Sequence, residues 1–310
     1  MTESQLSTEE QVESLWSLGG LTWTQLAKRT WAAMNRNDVM STASELAYNF
    51  VFSVFPALFV LLTIFGLFAQ QHSQMQQTLF SYLGQVLPPD AATLITKTMI
   101  QVTQASGGGK LTFGLVFALW SASQGTAGMM SGLNRSYEIQ ESRPYYKTKG
   151  IAIGLTIVLA GLALLALIII LFGGNIAQTV GNNLGLADVT VLVWRVIQTI
   201  LAICLITFAF ALVYYFGPDV KEQHWYWITP GSLIGVLLWL ATSFAFRVYL
   251  HFFNSYNKTY GSLGAAMILL FWFWVTGLAF LVGGEVNAEI EHAAAVRGHP
   301  EAKAPGEKAA

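Results

Sequence analysis

Apolar residues along this chain fall in long unbroken runs, not in short alternations. The runs cover about residues 43–69, 111–133, 151–171, 194–216, 228–253 and 262–284. Each approaches or exceeds the roughly 20 residues that a helix needs to cross a bilayer's hydrocarbon core. The pattern predicts an all-α, polytopic membrane protein with six transmembrane helices. The stretch between the first two runs, from Gln70 to Lys110, is too polar to span. It still carries Leu94, Ile95, Thr98, Met99 and Val102 at helical spacing, with Pro88-Pro89-Asp90 as a turn and N-cap. This predicts a helical hairpin outside the membrane, on the extracytoplasmic side. Gly173 to Gly185 reads as a Gly/Asn-rich connector, and Gly217-Pro218-Asp219 as a turn. The last two runs flank a polar island, Asn254 to Gly261, too short to be a domain, so their helices are antiparallel neighbours.

Ahead of the first run, Leu21, Trp23, Leu26, Ala27, Trp31 and Met34 recur near helical spacing, with Lys28, Arg29 and Arg36 among them. This amphipathic helix either lies on the membrane surface with its basic residues at the headgroups or packs on the bundle's end. The predicted organisation is a cytoplasmic N-terminal segment over residues 1–42, a six-helix domain over 43–292, and a disordered cytoplasmic tail over 293–310, rich in Ala, Pro, Gly, Lys and Glu.

Composition agrees with the pattern. Of 310 residues, 54% are hydrophobic and 11% charged, against roughly 25% charged in an ordinary globular protein. The net charge of -1 gives no bulk basic field for nucleic acid. Cys204, alone and inside an apolar run, makes no intrachain disulfide. The acidic, polar opening is unlike a cleaved signal peptide, so the first span is expected to serve as its own insertion signal. Six spans put both termini on one face. Lys28, Arg29, Arg36, Arg135, Arg143, Lys147, Lys149, Lys221, Arg297, Lys303 and Lys308 then fall together, and Lys97, Lys110, Arg195 and Lys258 opposite. Eleven against four makes the termini cytoplasmic.

Ionisable residues in or beside the spans are the first candidates for function, because lipid solvates them poorly. Glu45, Arg135 and Glu285 fall near the cytoplasmic ends of their helices. Arg135 can pair with Glu45 or with Glu285, as a structural pair or as part of a gate or headgroup contact. Arg247 shares an every-fourth-residue stripe with Gly231, Gly235, Trp239 and Ser243. That stripe is expected to face protein or a wet cleft, where a guanidinium suits a phosphate or carboxylate. The alternative is snorkelling outward beside Tyr249 and Tyr256. Asn49 stands one turn after Glu45, followed by Ser53 and the kink-forming Pro56. The polar island is a tightly hydrogen-bonded turn or the lip of a substrate path.

Signatures of catalysis are mostly lacking. Ser106-Gly-Gly-Gly-Lys110 suggests a phosphate loop, but Gln104 stands at the required first glycine and Leu111 at the required Ser/Thr. The five histidines have no metal-ligand spacing, and GxSxG and HExxH do not occur. Neither a cofactor nor a metal is expected, and no catalytic residue is nominated.

Several segments together resemble the YihY/BrkB family of bacterial inner-membrane proteins. They are Leu46-Ala-Tyr-Asn-Phe-Val-Phe-Ser53 with Phe55-Pro56, Leu119-Trp-Ser-Ala-Ser123, Leu133-Asn134, Tyr137-Glu138 and Glu141-Ser-Arg143-Pro144. The later ones are Tyr215-Phe-Gly-Pro-Asp219, Thr229-Pro-Gly231, Ser255-Tyr-Asn257, Thr259-Tyr-Gly-Ser-Leu-Gly264 and Gly283-Gly-Glu-Val-Asn287. Asn49 and Glu45 depart from that family's pattern, which has more often an aromatic residue and an alanine there. The resemblance implies six helices in the inner membrane. Its members have been labelled ribonuclease BN or virulence factor BrkB, and nuclease chemistry finds no support in these residues. Matched positions joined to the candidates above are Tyr48, Ser53, Pro56, Asn134, Arg135, Tyr256, Asn257, Tyr260, Gly261, Glu285 and Asn287. The expected function is transport of a lipid or another amphipathic anionic envelope component, with a non-transporting scaffold for envelope integrity as the alternative. Membrane lipids are the expected partners, nucleic acid is not, and a homo-oligomer or an envelope protein partner stays open.

Overall fold

The computed structural model of the protein describes residues 16–69, 108–184, 187–220, 229–252, 256–297 and 302–307. Among these, all regular structure is helical. A 3-10 turn at Leu18–Gly20 precedes α1 (Trp23–Arg36), α2 (Val39–Ala69), α3 (Gly108–Ser136), α4 (Tyr145–Leu184), α5 (Ala187–Phe216), α6 (Pro230–Phe252) and α7 (Tyr256–Val296). The six expected spans lie within helices α2 to α7, apart from Thr229 and from residues 228 and 253, which lie outside the described residues. The expected hairpin over residues 70–110 lies outside the described residues, except for 108–110, which open α3.

Among the described residues, five helices contain segments long and apolar enough to cross a membrane: Val39–Leu61, Tyr145–Ile170, Val189–Phe216, Pro230–Leu250 and Ala266–Val296. The helix α3 is 29 residues long but is not among them. Ser121, Ser123, Gln124, Gly125, Thr126 and Gly128 dilute its apolar character.

The chain divides into two compact units. One comprises Met1–Phe52, Gln124–Leu155 and Ile206–Ala310. Here α7 packs along α6 and also meets α1 and the 3-10 turn. Glycines set the closeness of these contacts. A Cβ on Gly231 would overlap the Gly283 carbonyl oxygen and the Asn287 side chain. Gly19, at φ 57°, fits against the Ile290 carbonyl where any side chain would collide. Leu18 and Leu26 then pack with Val286 and Ile290. The helix α1 starts with a reciprocal capping box between Thr22 and Gln25 and buries Leu26, Thr30 and Ala33. It therefore packs on the bundle, one of the two placements its sequence allowed.

The other unit comprises Ser53–Ser123 and Thr156–Leu205. Gly173 to Leu184, which read as connector, continues α4 as helix. Gly173 lies against the Trp194 ring, which leaves no room for a Cβ. Close packing of this kind offsets the roughly 1 kcal/mol that glycine costs inside a helix. The C-terminal segment also differs from the expected disorder. The helix α7 runs to Val296, and residues 302–307 sit against it. Lys303 is 3% exposed and bonds Glu291 at 3.1 Å, and Gly306 N–H donates to the Tyr137 carbonyl.

Candidate functional site

The last three turns of α7 place Glu285, Glu289 and His292 at i, i+4 and i+7, hence on one face. All three are at most 3% exposed. The facing helix α1 offers Arg29 and Arg36, again seven residues apart. Arg29 Nε donates to Glu289 Oε2 at 2.8 Å, and Arg36 Nη2 donates to Glu289 Oε1 at 3.1 Å. Arg36 also reaches back through Nε to Glu138 Oε1 at 2.6 Å. One buried carboxylate thus holds two guanidiniums. Charge-assisted bonds of this kind offset the cost of taking Glu289 out of water. The two carboxylates also hold the Arg36 guanidinium above its ordinary pKa, against the opposing pull of its partial burial.

Glu285 has different company. Asn37, in the turn between α1 and α2, donates Nδ2 to both of its oxygens at 3.1 Å. Among the described residues no cation lies within ion-pair distance of Glu285. His292 keeps both ring nitrogens buried without a hydrogen-bond partner among the described residues, and its Nδ1 stands 3.9 Å from Glu289 Oε1. The Tyr137 ring meets the His292 ring edge-on at 6.3 Å. Burial, with the Glu291 carboxylate beside it, pushes the Tyr137 phenol well up, so it stays neutral at physiological pH.

At the end of α3, Arg135 bonds Glu45 at 2.8 Å and the Thr42 hydroxyl at 3.0 Å. The structure therefore selects Glu45, not Glu285, from the two partners the sequence offered. This pair is about half exposed. Asn134 is buried and joins two loops. It donates to Glu141 at 3.0 Å and accepts from the Asp219 backbone N–H at 2.7 Å. Arg143 grips both Glu141 oxygens at 2.7 Å and the Gly217 carbonyl at 2.8 Å. Partial burial works against ionisation of Glu141, yet hydrogen bonds from Arg143 and Asn134 hold its carboxyl below the ordinary range. Ser142 closes the joint by donating N–H and hydroxyl to Asp219 Oδ2.

Asn287 supports the start of α6. Its Oδ1 accepts from Gly231 N–H at 2.9 Å, and its Nδ2 donates to the Thr229 hydroxyl at 3.0 Å. Thr229 and Ser232 cap each other's backbone N–H groups. Within α2, Tyr48 is exposed with its ring tilted against that of Phe52, centroids 4.6 Å apart, and Asn49 is packed against Gly128. In the other unit Ser53 is buried and Pro56 half-buried. Tyr256, Asn257, Tyr260 and Gly261 lie in the first turns of α7, and their side chains fall outside the described residues.

Arg247 does not join these groups, because its stripe turns from buried to exposed along α6. Along its stripe Gly231 and Gly235 are buried, Trp239 and Ser243 intermediate, and Arg247 exposed. Four-residue steps overrun a full helical turn by about 40° each, so four steps carry a stripe about 160° around the helix. Arg247 makes no ion pair or hydrogen bond among the described residues. Sequence reading missed Arg29, Arg36, Asn37, Glu138, Glu289 and His292. The spacing of Glu285, Glu289 and His292 was the available signal, hidden by ending the span at Gly284. No cluster of metal-binding side chains occurs among the described residues.

Comparison with known proteins places the chain in a family. The chain is 29% identical over 261 residues to a protein of Bacillus subtilis named putative ribonuclease-like protein YfkH, covering 84% of this chain and 93% of that one. It is 29% identical over 269 residues to a UPF0761 membrane protein of Vibrio cholerae, covering 84% of each. No solved structure matches it. Residues 30–307 match the family model described as Virulence factor BrkB. With its five strongly apolar helices, the chain is thus a multi-pass bacterial membrane protein, consistent with the inner membrane, and it belongs to the BrkB family.

Proposed function

We propose that the protein is an inner-membrane transporter of a lipid or another amphipathic anion, and that the charged end of α7 with the end of α3 forms its cytoplasmic mouth. The observation that carries this reading is the burial of Glu285, Glu289 and His292 on one face of a spanning helix. Ionisable groups in such positions are costly, and pathways through membranes are where they are retained. Arg135 and Glu45, half exposed, supply a paired charge at the edge of the same region. Arg135 connects to it through Glu138, one turn on, which bonds Arg36. The lysine and arginine bias of the sequence supports placing this end in the cytoplasm.

In this reading the protein is not an enzyme. Glu45, Glu138, Glu141, Glu289 and Glu291 are each engaged by arginine or lysine, which leaves them poorly placed as acid/base groups. Movement of a fluorescent anionic phospholipid between leaflets of reconstituted liposomes tests the proposal. Arg135→Ala and Glu285→Gln are expected to slow it severalfold. Unchanged movement in both variants, or none with the unaltered chain, would count against transport. RNA cleavage by the purified chain would overturn the non-enzymatic part. The scaffold reading draws on the glycine-mediated contact of α6 with α7 and would be favoured by a stoichiometric partner copurifying with a chain that moves no lipid.

A further inference from the structure

An apolar groove of about 220 Å³ opens between α1 and the α6–α7 pair. Trp23, Ala27, Thr30 and Trp31 line one side, Ile234 and Val282 the other. We propose that it binds one acyl chain of an anionic membrane phospholipid, with Lys28 taking the headgroup phosphate. Ile234 and Val282 belong to the apolar segments Pro230–Leu250 and Ala266–Val296, so the floor of the groove is made by membrane-spanning helices. A lining this apolar gives water few partners. An engineered apolar cavity of about 150 Å³ already takes benzene, so this groove has room for a run of methylenes.

The margins specify an amphipathic occupant. Trp23 and Trp31 are 64% and 63% exposed, eight residues apart on α1. Tryptophan favours the zone where acyl chain meets headgroup. The Thr30 hydroxyl, in a residue 6% exposed, has no hydrogen-bond partner among the described residues, and an ester oxygen of a glycerolipid would accept from it. Arg29 and Arg36 are committed to Glu289 and Glu138. Lys28 directly follows Ala27, stands one turn before Trp31, and is exposed with no ionic partner among the described residues. That free cation beside the groove selects an anionic headgroup. This goes beyond the transport reading and does not depend on it, since a lipid seated here would hold α1 to the bilayer whether or not the protein moves a substrate.

The test uses the full chain reconstituted in vesicles of equal parts phosphatidylglycerol and phosphatidylcholine, extracted in mild detergent and weighed by native mass spectrometry. The unaltered chain should retain one phosphatidylglycerol more than Ala27→Phe, which fills the groove. Lys28→Glu should retain a lipid with its preference for phosphatidylglycerol reduced about fivefold. Trp31→Ala, altering a mostly exposed side chain, gives a second groove variant should Ala27→Phe fail to fold. Equal retention by the unaltered chain and every folded groove variant overturns the proposal. So does a disulfide between Leu6→Cys and Ala27→Cys in a Cys204→Ser background, which would put the chain's own N-terminal segment in the groove.

Discussion

Glu289 and its two arginines make a prediction in which the order of removal matters. The carboxylate is 4% exposed, whereas Arg29 and Arg36 are 40% and 50% exposed. Removing Glu289 leaves guanidiniums that can turn to water. The loss is then two charge-assisted hydrogen bonds discounted for solvent, about 2 kcal/mol together. Removing one arginine leaves the carboxylate paired with the other, at about 1 kcal/mol. Removing both strands a buried charge, which costs about 3–5 kcal/mol. Arg29→Ala with Arg36→Ala should therefore exceed the sum of the single changes by about 1–3 kcal/mol, a coupling expected of residues sharing one partner.

Thermal unfolding of the purified protein in detergent, at one fixed scan rate, reads this out. At about 2 °C per kcal/mol for a chain of this size, each single variant should fall by about 2 °C and the double by roughly 6–10 °C. Adding Glu289→Gln to the double variant removes the stranded charge and should restore more than half of the loss. If the double variant equals the sum of the singles, and the glutamine restores nothing, Glu289 is not desolvated as described and the energetic reasoning fails.

Gly231→Ala should cost about 1–3 kcal/mol by forcing α6 from the Gly283 carbonyl, while Gly150→Ala, with nothing within 4 Å of its added methyl, should be neutral in the same melt. Asn287→Leu should cost about 2 kcal/mol, because the Gly231 N–H and the Thr229 hydroxyl each lose a partner. The lowered folded pKa of Glu141 means that its pairing contributes in full above the unfolded value of about 4.3 and is lost as pH falls through the lower folded value; Glu141→Gln should flatten that part of an acid titration of the melting temperature. Lys303→Ala should release residues 302–307 from Glu291, seen as faster cleavage near that segment in limited proteolysis.

The presence of each helix was legible where a long apolar run decides it, and its ends were not. Long runs such as Ile151 to Leu171 report directly on the solvent around them. Glycine and asparagine were the misleading letters. Between Gly173 and Leu184 they read as breakers, yet a glycine against the Trp194 ring is a packing residue. The Arg135–Glu45 pair was partly legible, because both residues fall at the ends of apolar runs that follow one another in the sequence. Asn37 as the partner of Glu285 was not, since 248 positions separate them and only the fold of the α1–α2 turn brings them together. Lys303 was hidden for the same reason: its neighbours in sequence describe a solvated tail, and its burial depends on the end of α7.

Arg247 shows how position along a helix can matter as much as orientation. From Pro230 it lies 247 − 230 = 17 residues along α6, about 25 Å at 1.5 Å per residue. The hydrocarbon core is about 30 Å thick, so an exposed guanidinium there can extend its aliphatic stem to the far interface without burying its charge. Such an anchor needs only a long cationic side chain, whereas an anion-binding contact needs the guanidinium's planar fork of donors. Arg247→Lys should therefore preserve the yield of folded protein in membranes, and Arg247→Ala should lower it, with neither changing the rate of lipid movement per folded molecule. A loss of rate in Arg247→Lys at normal yield would refute the anchor and return this residue to the proposed transport path.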